Sequence, residues 1–361
     1  MPDFLEIEFL DVETRKSGDA IAIRHYVNGQ VTIQVVDGGY VDTGEKLAQH
    51  IRGNYGSGFI DHVLCTHNDG DHAGGLRLIL EEFNVGALWM LRPWTYAAEI
   101  VHRFNRYSNA DNLARVLKDE FSNLAALEEI AIRRGIPIFE PFQGAQVGIF
   151  RVLSPTKTRY LDLVVESEKS PAIKQTMTSG LGSLVETIGQ VARAATNLVK
   201  RGWGYEIFSA EAVSAENRMS VVQFTRFANT TFLLTGDCNQ DSLAEAAIYA
   251  PFAGLALPGV DKFQVPHHGS RRGLSTAILD QWLGPRLAQM PAVGQERFSA
   301  IISSAKADPD HPRKAVIRAM KHRGARVLTT EGGNVRTGYN APDRADMGPA
   351  TQEPYPDEIE E

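Results

Sequence analysis

His67-Asn68-Asp69-Gly70-Asp71-His72-Ala73-Gly74-Gly75 follows directly on the apolar run Ile60 to Thr66 and puts two imidazoles and two carboxylates into six positions. Crowded acids repel and raise one another's pKa unless a cation neutralises them. Imidazole nitrogens beside carboxylate oxygens suit zinc, manganese or iron, and the lack of cysteine in the cluster argues against a closed structural zinc site. Gly70 lets the turn fold tightly, while Gly74 and Gly75 allow close backbone approach as a helix begins. Taken alone, the stretch also fits a polar loop whose acids cap that helix and whose histidines merely hydrogen-bond.

Two distant segments weigh against the plainer reading. The apolar run Thr230 to Thr235 empties into Gly236-Asp237, and Lys262 to Val265 empties into Pro266-His267-His268-Gly269-Ser270. Three ligand-rich loops, each at the carboxyl end of a buried strand, can converge on one place. Two cations about 3.5–4 Å apart need a bridging carboxylate and can hold a hydroxide between them. Asp237 is the natural bridge. A metal lowers the pKa of bound water from about 15.7 to about 7, giving a nucleophile at neutral pH, and the second ion would stabilise the leaving oxygen.

Outward from these loops, Phe4 to Asp11, Ala20 to Tyr26, Val31 to Asp37, Ser220 to Phe227, Ser299 to Ser303 and Arg326 to Thr330 predict further strands. Helical spacing appears at Ala73 to Phe83, Asp111 to Arg134, Leu181 to Lys200, Ser242 to Tyr249, Ser275 to Trp282 and Arg313 to His322. The Leu181 to Lys200 stripe fits either a core-packed helix or a dimer seam. Strands in both halves with helices interposed predict an α/β protein of two packed sheets covered by helices.

The chain has 361 residues, 43% hydrophobic and 22% charged, which places it among globular proteins large enough to form a core without disulfides or structural metal. Its two cysteines, Cys65 and Cys238, cannot make a disulfide framework. We read them as small core residues and not as ligands. The amino terminus lacks a signal-peptide layout and no apolar run reaches the length of a membrane span, so a cytoplasmic protein with no membrane anchor is expected. The 37 basic and 44 acidic residues give −7, which argues against gripping nucleic acid by bulk charge. From Asp343 onward there are seven acids and one base, Arg344, so residues 341–361 read as an acidic, disordered tail on a single domain spanning 1–340.

The ordered set His67-x-Asp69-x-Asp71-His72, Thr235-Gly236-Asp237 and Pro266-His267-His268-Gly269-Ser270 resembles the metallo-β-lactamase superfamily. Within that superfamily it resembles the hydrolase domain of ComEC-type DNA-internalisation proteins. Phe9-Leu10-Asp11-Val12 with Gly18-Asp19-Ala20, and Val36-Asp37-Gly38-Gly39, resemble that domain's opening and second-strand turn. The resemblance covers roughly 4–338 and is interrupted by an unmatched stretch, about 84–216, expected to be a helical insertion serving as a lid or as a surface for a homodimer or regulatory partner.

The resemblance implies a four-layer αββα sandwich, one or two divalent ions (zinc or manganese) and hydrolysis. It assigns His67 and Asp69 to one metal, Asp71 and His72 to the second, and Asp237 to both. One of His267 and His268 completes the second metal's set of ligands, and the pattern leaves open which. Asp71 would also take part in catalysis. Three departures stand out. Asp69 occupies a position that is histidine in most of the superfamily, though aspartate is usual in ComEC-like domains, and this makes manganese more plausible. No additional histidine occurs near Asn217-Arg218-Met219-Ser220. Glu13 to Ser17 form an insertion in the opening motif.

His311, in Asp308-Pro309-Asp310-His311-Pro312, resembles a late Gly-His-Pro segment. It could protonate a leaving alkoxide or hold a phosphate oxygen, or simply sit at a helix cap. Ser270, Arg271 and Arg272 follow the histidine pair, and Arg313, Lys314, Arg318, Lys321, Arg323 and Arg326 crowd the next segment. Basic groups beside cations would draw a phosphodiester, so the substrate expected is nucleic acid or a smaller phosphodiester. The same water could attack a lactam, lactone or thioester, and a non-catalytic, metal-braced binding module is the reading from outside enzymology. Arg92-Pro93-Trp94 and Arg201-Gly202-Trp203-Gly204-Tyr205 could stack bases or form packing corners.

Overall fold

The computed structural model describes residues 2–12, 14–169, 202–348 and 350–359. The stripe at Leu181 to Lys200 lies outside the described residues. β1 (Phe4–Phe9), β2 (Ala20–Val27), β3 (Gln30–Gly38), β4 (Phe59–Leu64), β5 (Asn84–Trp89) and β6 (Ile138–Phe139) belong to one sheet. β7 (Gln146–Val147), β8 (Phe150–Ser154), β9 (Val222–Phe227), β10 (Thr230–Leu234), β11 (Lys262–Gln264), β12 (Phe298–Ile302) and β13 (Ala325–Thr329) form the other. β14 (Val335–Tyr339) then returns to pair antiparallel with β1 in the first sheet. Both sheets are mixed, with β3-β4-β5-β6 parallel in the first and β10-β11-β12-β13 parallel in the second.

Alternation along β10 shows how the layers are held. Phe232 and Leu234 pack into the core shared with the first sheet, whereas Leu233 between them faces a second core containing Leu243, Leu279 and Met320 from the helices Gln240–Tyr249, Thr276–Leu283 and Lys314–His322. A period of two thus serves an inter-sheet core on one face and a helix-covered core on the other, which is the αββα sandwich expected.

Asp111 to Arg134 is not one helix. Helices Ala110–Glu120 and Ser122–Arg134 meet at Phe121, whose backbone leaves the helical region at φ −93° and ψ 49°. A straight 24-residue rod would be about 36 Å long. The break turns Leu113 and Leu117 on one arm and Leu124 and Leu127 on the other into the same core, with Phe121 buried at the corner.

The stretch 84–216 is not wholly an insertion either, because β5 to β8 within it complete one side of both sheets. Asn84–Trp89 is interrupted by glycine, and β6 and β7 are two residues each, so their strand signal is weak.

The carboxyl-terminal segment also differs from the expectation of a solvated tail. Arg344 reaches buried Glu8 at 3.0 Å, Gln352 bridges Leu328, the Glu353 N–H donates to the Val327 carbonyl at 2.9 Å, and Tyr355 meets His322 at 3.1 Å. β13 is an edge strand, and its unpaired backbone groups provide what this segment needs to dock.

The basic run after His311 is not wholly available to a phosphodiester, since Arg318, Lys321 and Arg323 are buried. Arg323 binds Glu206 at 2.6 Å and Asp280 at 2.7 Å, and Arg318 lies over the Tyr355 ring and donates to the Gly202 carbonyl. Trp203 and Trp94 are packing corners: Trp203 meets His322 edge-on and lies tilted against Tyr355, and Trp94 is buried with its indole N–H on Glu128. Among the described residues no helix is long and apolar enough to cross a membrane.

Burial pushes the Glu206 carboxyl up, but His322 and Arg323 outweigh it and bring it down to about 2. A carboxyl held below its free value contributes stability that is complete above the free range near pH 4 and is lost as pH falls toward 2. Arg323→Ala, which strands Glu206 in the interior, should lower the unfolding free energy by about 3–5 kcal/mol in urea titrations at neutral pH. Destabilisation by Glu206→Gln should be greatest at neutral pH and shrink as the titration is repeated from pH 4 downward.

Candidate metal centre

The parallel strands of both sheets deliver their carboxyl-terminal loops to one place, the usual location of a site in an α/β fold. Asp37 ends β3, the His67 to His72 loop follows β4, Asp237 follows β10, the His267-His268 pair follows β11, and Ser303 to His311 follow β12. Close backbone contact locks the first two loops together. A Cβ on Gly75 would lie 2.1 Å from the Gly38 carbonyl oxygen, and the Gly75 N–H donates to the Gly39 carbonyl at 2.9 Å. Gly75 is therefore required by contact with the end of β3, and Gly74, whose Cβ would lie 2.5 Å from the Gly70 carbonyl oxygen, by the turn itself.

Asp71, His72, Asp237 and His268 converge so that one donor atom from each lies within 4.8 Å of all the others. His72 Nε2 is 3.2 Å from Asp237 Oδ1, and His268 Nε2 is 3.5 Å from both Asp237 Oδ1 and Asp71 Oδ2. His72 Nε2, His268 Nε2 and Asp237 Oδ1 are buried and, among the described residues, have no hydrogen-bond partner. Buried polar atoms are almost always satisfied, so three facing one another without partners fit a site for a cation. Two imidazoles and two carboxylates are the donor set expected for zinc or manganese.

Groups behind the donors fix their direction. His72 Nδ1 lies 2.8 Å from Asp37 Oδ2, which leaves Nε2 facing the centre. Asp37 also accepts from the Thr66 backbone and hydroxyl at 2.8 and 2.6 Å, and these bonds hold its unusual left-handed backbone, φ 56°. His268 Nδ1 points to the Ser303 carbonyl at 3.0 Å, so its Nε2 also faces inward. Asp19 lies behind His72 at 3.8 Å and accepts from Gln264 at 2.9 Å.

Charge follows the same geometry. Burial pushes Asp237 up, but the imidazoles of His268, His72 and His267 outweigh it and hold the carboxyl well below its usual range. Burial pushes His72 and His268 down, yet the carboxylates prevail, taking His72 well above its ordinary value and His268 up to about 9. Burial dominates at His267, which is brought down to about 4. Burial raises Asp71, but His268 and His72 bring it to about 2.

The remaining candidates flank this group. His67 Nε2 is 3.7 Å from Asp69, and its ring centre is 4.3 Å from that of His72. His267 Nε2 is 3.8 Å from Asp237 Oδ2, and its ring stacks on His311 at 5.7 Å. His311 Nδ1 is 3.2 Å from Asp308, which also accepts from the Ser17 backbone and hydroxyl. Ser17, at the end of the Glu13 to Ser17 insertion, therefore braces the loop bearing His311.

A cleft of about 300 Å³ borders the centre, floored by His267 and His311 and walled by Lys16, Arg271, Arg272 and Arg313. Ser270 also lines it, while Glu211 pairs with Arg272 and Asp310 with Arg313 at 2.8 Å. Cys65 and Cys238 are buried, burial pushes both thiols up, and neither joins the donor group.

Sequence reasoning missed Asn217, Asp308 and the Ser303 carbonyl. Asn217 donates to Asp237 Oδ2 at 3.2 Å, yet in the sequence it marked only a histidine that was not there.

Residues 18–144 match the family model described as Metallo-beta-lactamase superfamily. The match takes in Asp19, Asp37 and the whole His67 to His72 loop, and it supports the superfamily, whose members are mostly hydrolases that typically bind divalent metals. No curated protein matches the chain significantly.

The geometry favours His268 over His267 as a ligand. His268→Ala should weaken zinc or manganese binding by more than about 10–100-fold, the effect typical of losing even an outer-shell partner, while His267→Ala should retain the metal. Elemental analysis after dialysis, with calorimetric titration, reads both.

Proposed function

We propose that this chain is a metal-dependent hydrolase of phosphodiester bonds, with nucleic acid or a smaller phosphodiester as substrate. The observation that carries the reading is the cationic cleft beside the four-donor centre, where Lys16, Arg271, Arg272 and Arg313 stand against Glu211 and Asp310. Cleavage of an uncharged lactam or lactone gives no reason for such a wall, since pockets for small neutral ligands are mostly apolar. The order of the motifs, similar to that of ComEC-type domains, supports nucleic acid within this class.

Asp71, His72, Asp237 and His268 would hold the cation. A divalent ion there supplies an acidified water and charge stabilisation at the departing oxygen. The chain's own groups bind and orient the substrate. Arg271 and Lys16 attract the phosphates flanking the scissile one, through guanidinium hydrogen bonds and a point charge. His311, turned by Asp308, presents its other ring nitrogen to the cleft to hold a phosphoryl oxygen or pass a proton to the leaving oxygen. Asp71, with 23% of its side chain exposed, is the ligand best placed to meet substrate as well as metal.

Purified protein given manganese or zinc should cleave labelled single-stranded or duplex nucleic acid, or a bis-nitrophenyl phosphodiester, and a chelator should abolish this. Asp71→Ala should lower kcat by more than about 100-fold, as loss of a charge-stabilising group does. Arg271→Ala and Lys16→Ala should act mainly on KM and make cleavage less salt-sensitive. Turnover of colorimetric lactams or thioesters with every phosphodiester untouched would overturn the reading.

A further inference from the structure

The two oxygens of Asp237 have different surroundings. Oδ1 faces His72 Nε2 at 3.2 Å and His268 Nε2 at 3.5 Å, and it is buried without a hydrogen bond. Oδ2 accepts from the Asn217 amide at 3.2 Å. We propose that this chain holds one divalent cation, at Asp71, His72, Asp237 and His268, and that Asn217 closes the neighbouring position by taking the second oxygen of Asp237. The proposal rests on the metal-dependent reading above and narrows it.

A carboxylate that bridges through both oxygens turns a lone pair from each toward a different cation, and that mode is the one an amide on Oδ2 blocks. The amide NH₂ of Asn217 can only donate, so it competes with a cation for Oδ2 and cannot itself be a ligand. Its carbonyl oxygen, the one atom of Asn217 that could ligate, accepts from the Ser214 hydroxyl at 2.7 Å, while the Asn217 backbone N–H donates back to that hydroxyl at 3.1 Å. Asn217 is 6% exposed, and these bonds hold its amide from both ends. The same NH₂ lies 3.3 Å from His267 Nε2, so the space between Asp237 and His267 is spanned by an amide.

Asp19, Asp37 and His72 also lie close together, but Asp37 Oδ2 is taken by His72 Nδ1 and the Thr66 hydroxyl and Asp19 Oδ2 by Gln264, so His67 and Asp69 remain for a second cation, and they are too few. Among the described residues they join no group of three His, Cys, Asp or Glu donors. Two protein ligands fall short of the three or four that hold a catalytic or structural ion. His67 keeps one buried donor, Nε2, with Asp69 its neighbouring carboxylate at 3.7 Å. Ser220 and Thr66 hold its Nδ1 at 3.2 and 3.0 Å, and its Nε2 is buried without a hydrogen bond. In this arrangement Asp237 would serve one ion through Oδ1, and His67 with Asp69 flanks that ion on the side away from the His267 and His311 cleft.

Metal-depleted protein titrated with Mn²⁺ and Zn²⁺ by calorimetry, with elemental analysis after dialysis, should give one ion per chain. The Mn²⁺ form should show the electron paramagnetic resonance spectrum of an isolated ion. Asn217→His, which returns an imidazole to the position and frees Oδ2, should raise the stoichiometry to two and give an exchange-coupled spectrum. Asn217→Ala, checked for folding by circular dichroism, should keep at least one ion. His67→Ala should change affinity for the first ion by less than about tenfold, against more than about 100-fold for Asp71→Ala. Wild-type protein taking two ions with affinities within about tenfold, or losing its first ion equally in His67→Ala and Asp71→Ala, would overturn the single-cation proposal alone. Wild-type protein that takes none would overturn the metal-dependent reading with it.

Discussion

Donor atoms from three distant loops face one another in a space from which solvent is largely excluded, and among the described residues no hydrogen bond satisfies them. His72 Nε2, His268 Nε2 and Asp237 Oδ1 are all buried, within reach of one another, and free of hydrogen bonds. Leaving such groups unpaired costs about 1–3 kcal/mol each. The fold tolerates this because it is organised to hold them there. Each ring is turned by a partner on its far nitrogen, Asp37 for His72 and the Ser303 carbonyl for His268. The left-handed backbones of Asp37, His267 and His268 are a further cost concentrated at the same point.

The loops can be held because of where the sheets put them. The parallel strands of each sheet end at the same edge of the sandwich, and the interlocked glycines at Gly38 and Gly75 fix the β3 and β4 loops at backbone contact. Away from the site the same logic of paired buried charge recurs. Glu206 gathers Arg323 and His322, and Glu8 gathers His50, Tyr55 and Arg344, so that the carboxyl-terminal segment is tied to the body at both clusters.

Much of this was legible in the residues. Strand runs such as Thr230 to Thr235 and Lys262 to Val265 carry their burial in their composition, and both lie within a residue of the strands observed. The break at Phe121 was not legible, because the apolar stripe continues through it and only packing calls for the corner. Arg318 and Arg323 misled for a related reason. Charge beside the histidines reads as attraction for a phosphodiester until Glu206, more than 100 residues away, is known to lie opposite Arg323. The acidic carboxyl-terminal segment read as disordered because composition does not register an open sheet edge.

For the centre itself, the sequence by itself determined the donor types, their order along the chain and the strand that precedes each loop, since these follow from local chemistry and a period of two. It also left His267 and His268 equivalent, two imidazoles in adjacent positions. Tertiary structure decided between them, because only folding brings the Ser303 carbonyl against His268 and stacks His267 on His311. It likewise placed the Asn217 amide on Asp237. Which oxygen of Asp237 an amide reaches depends on contact across 20 residues of intervening chain, and no local pattern encodes that.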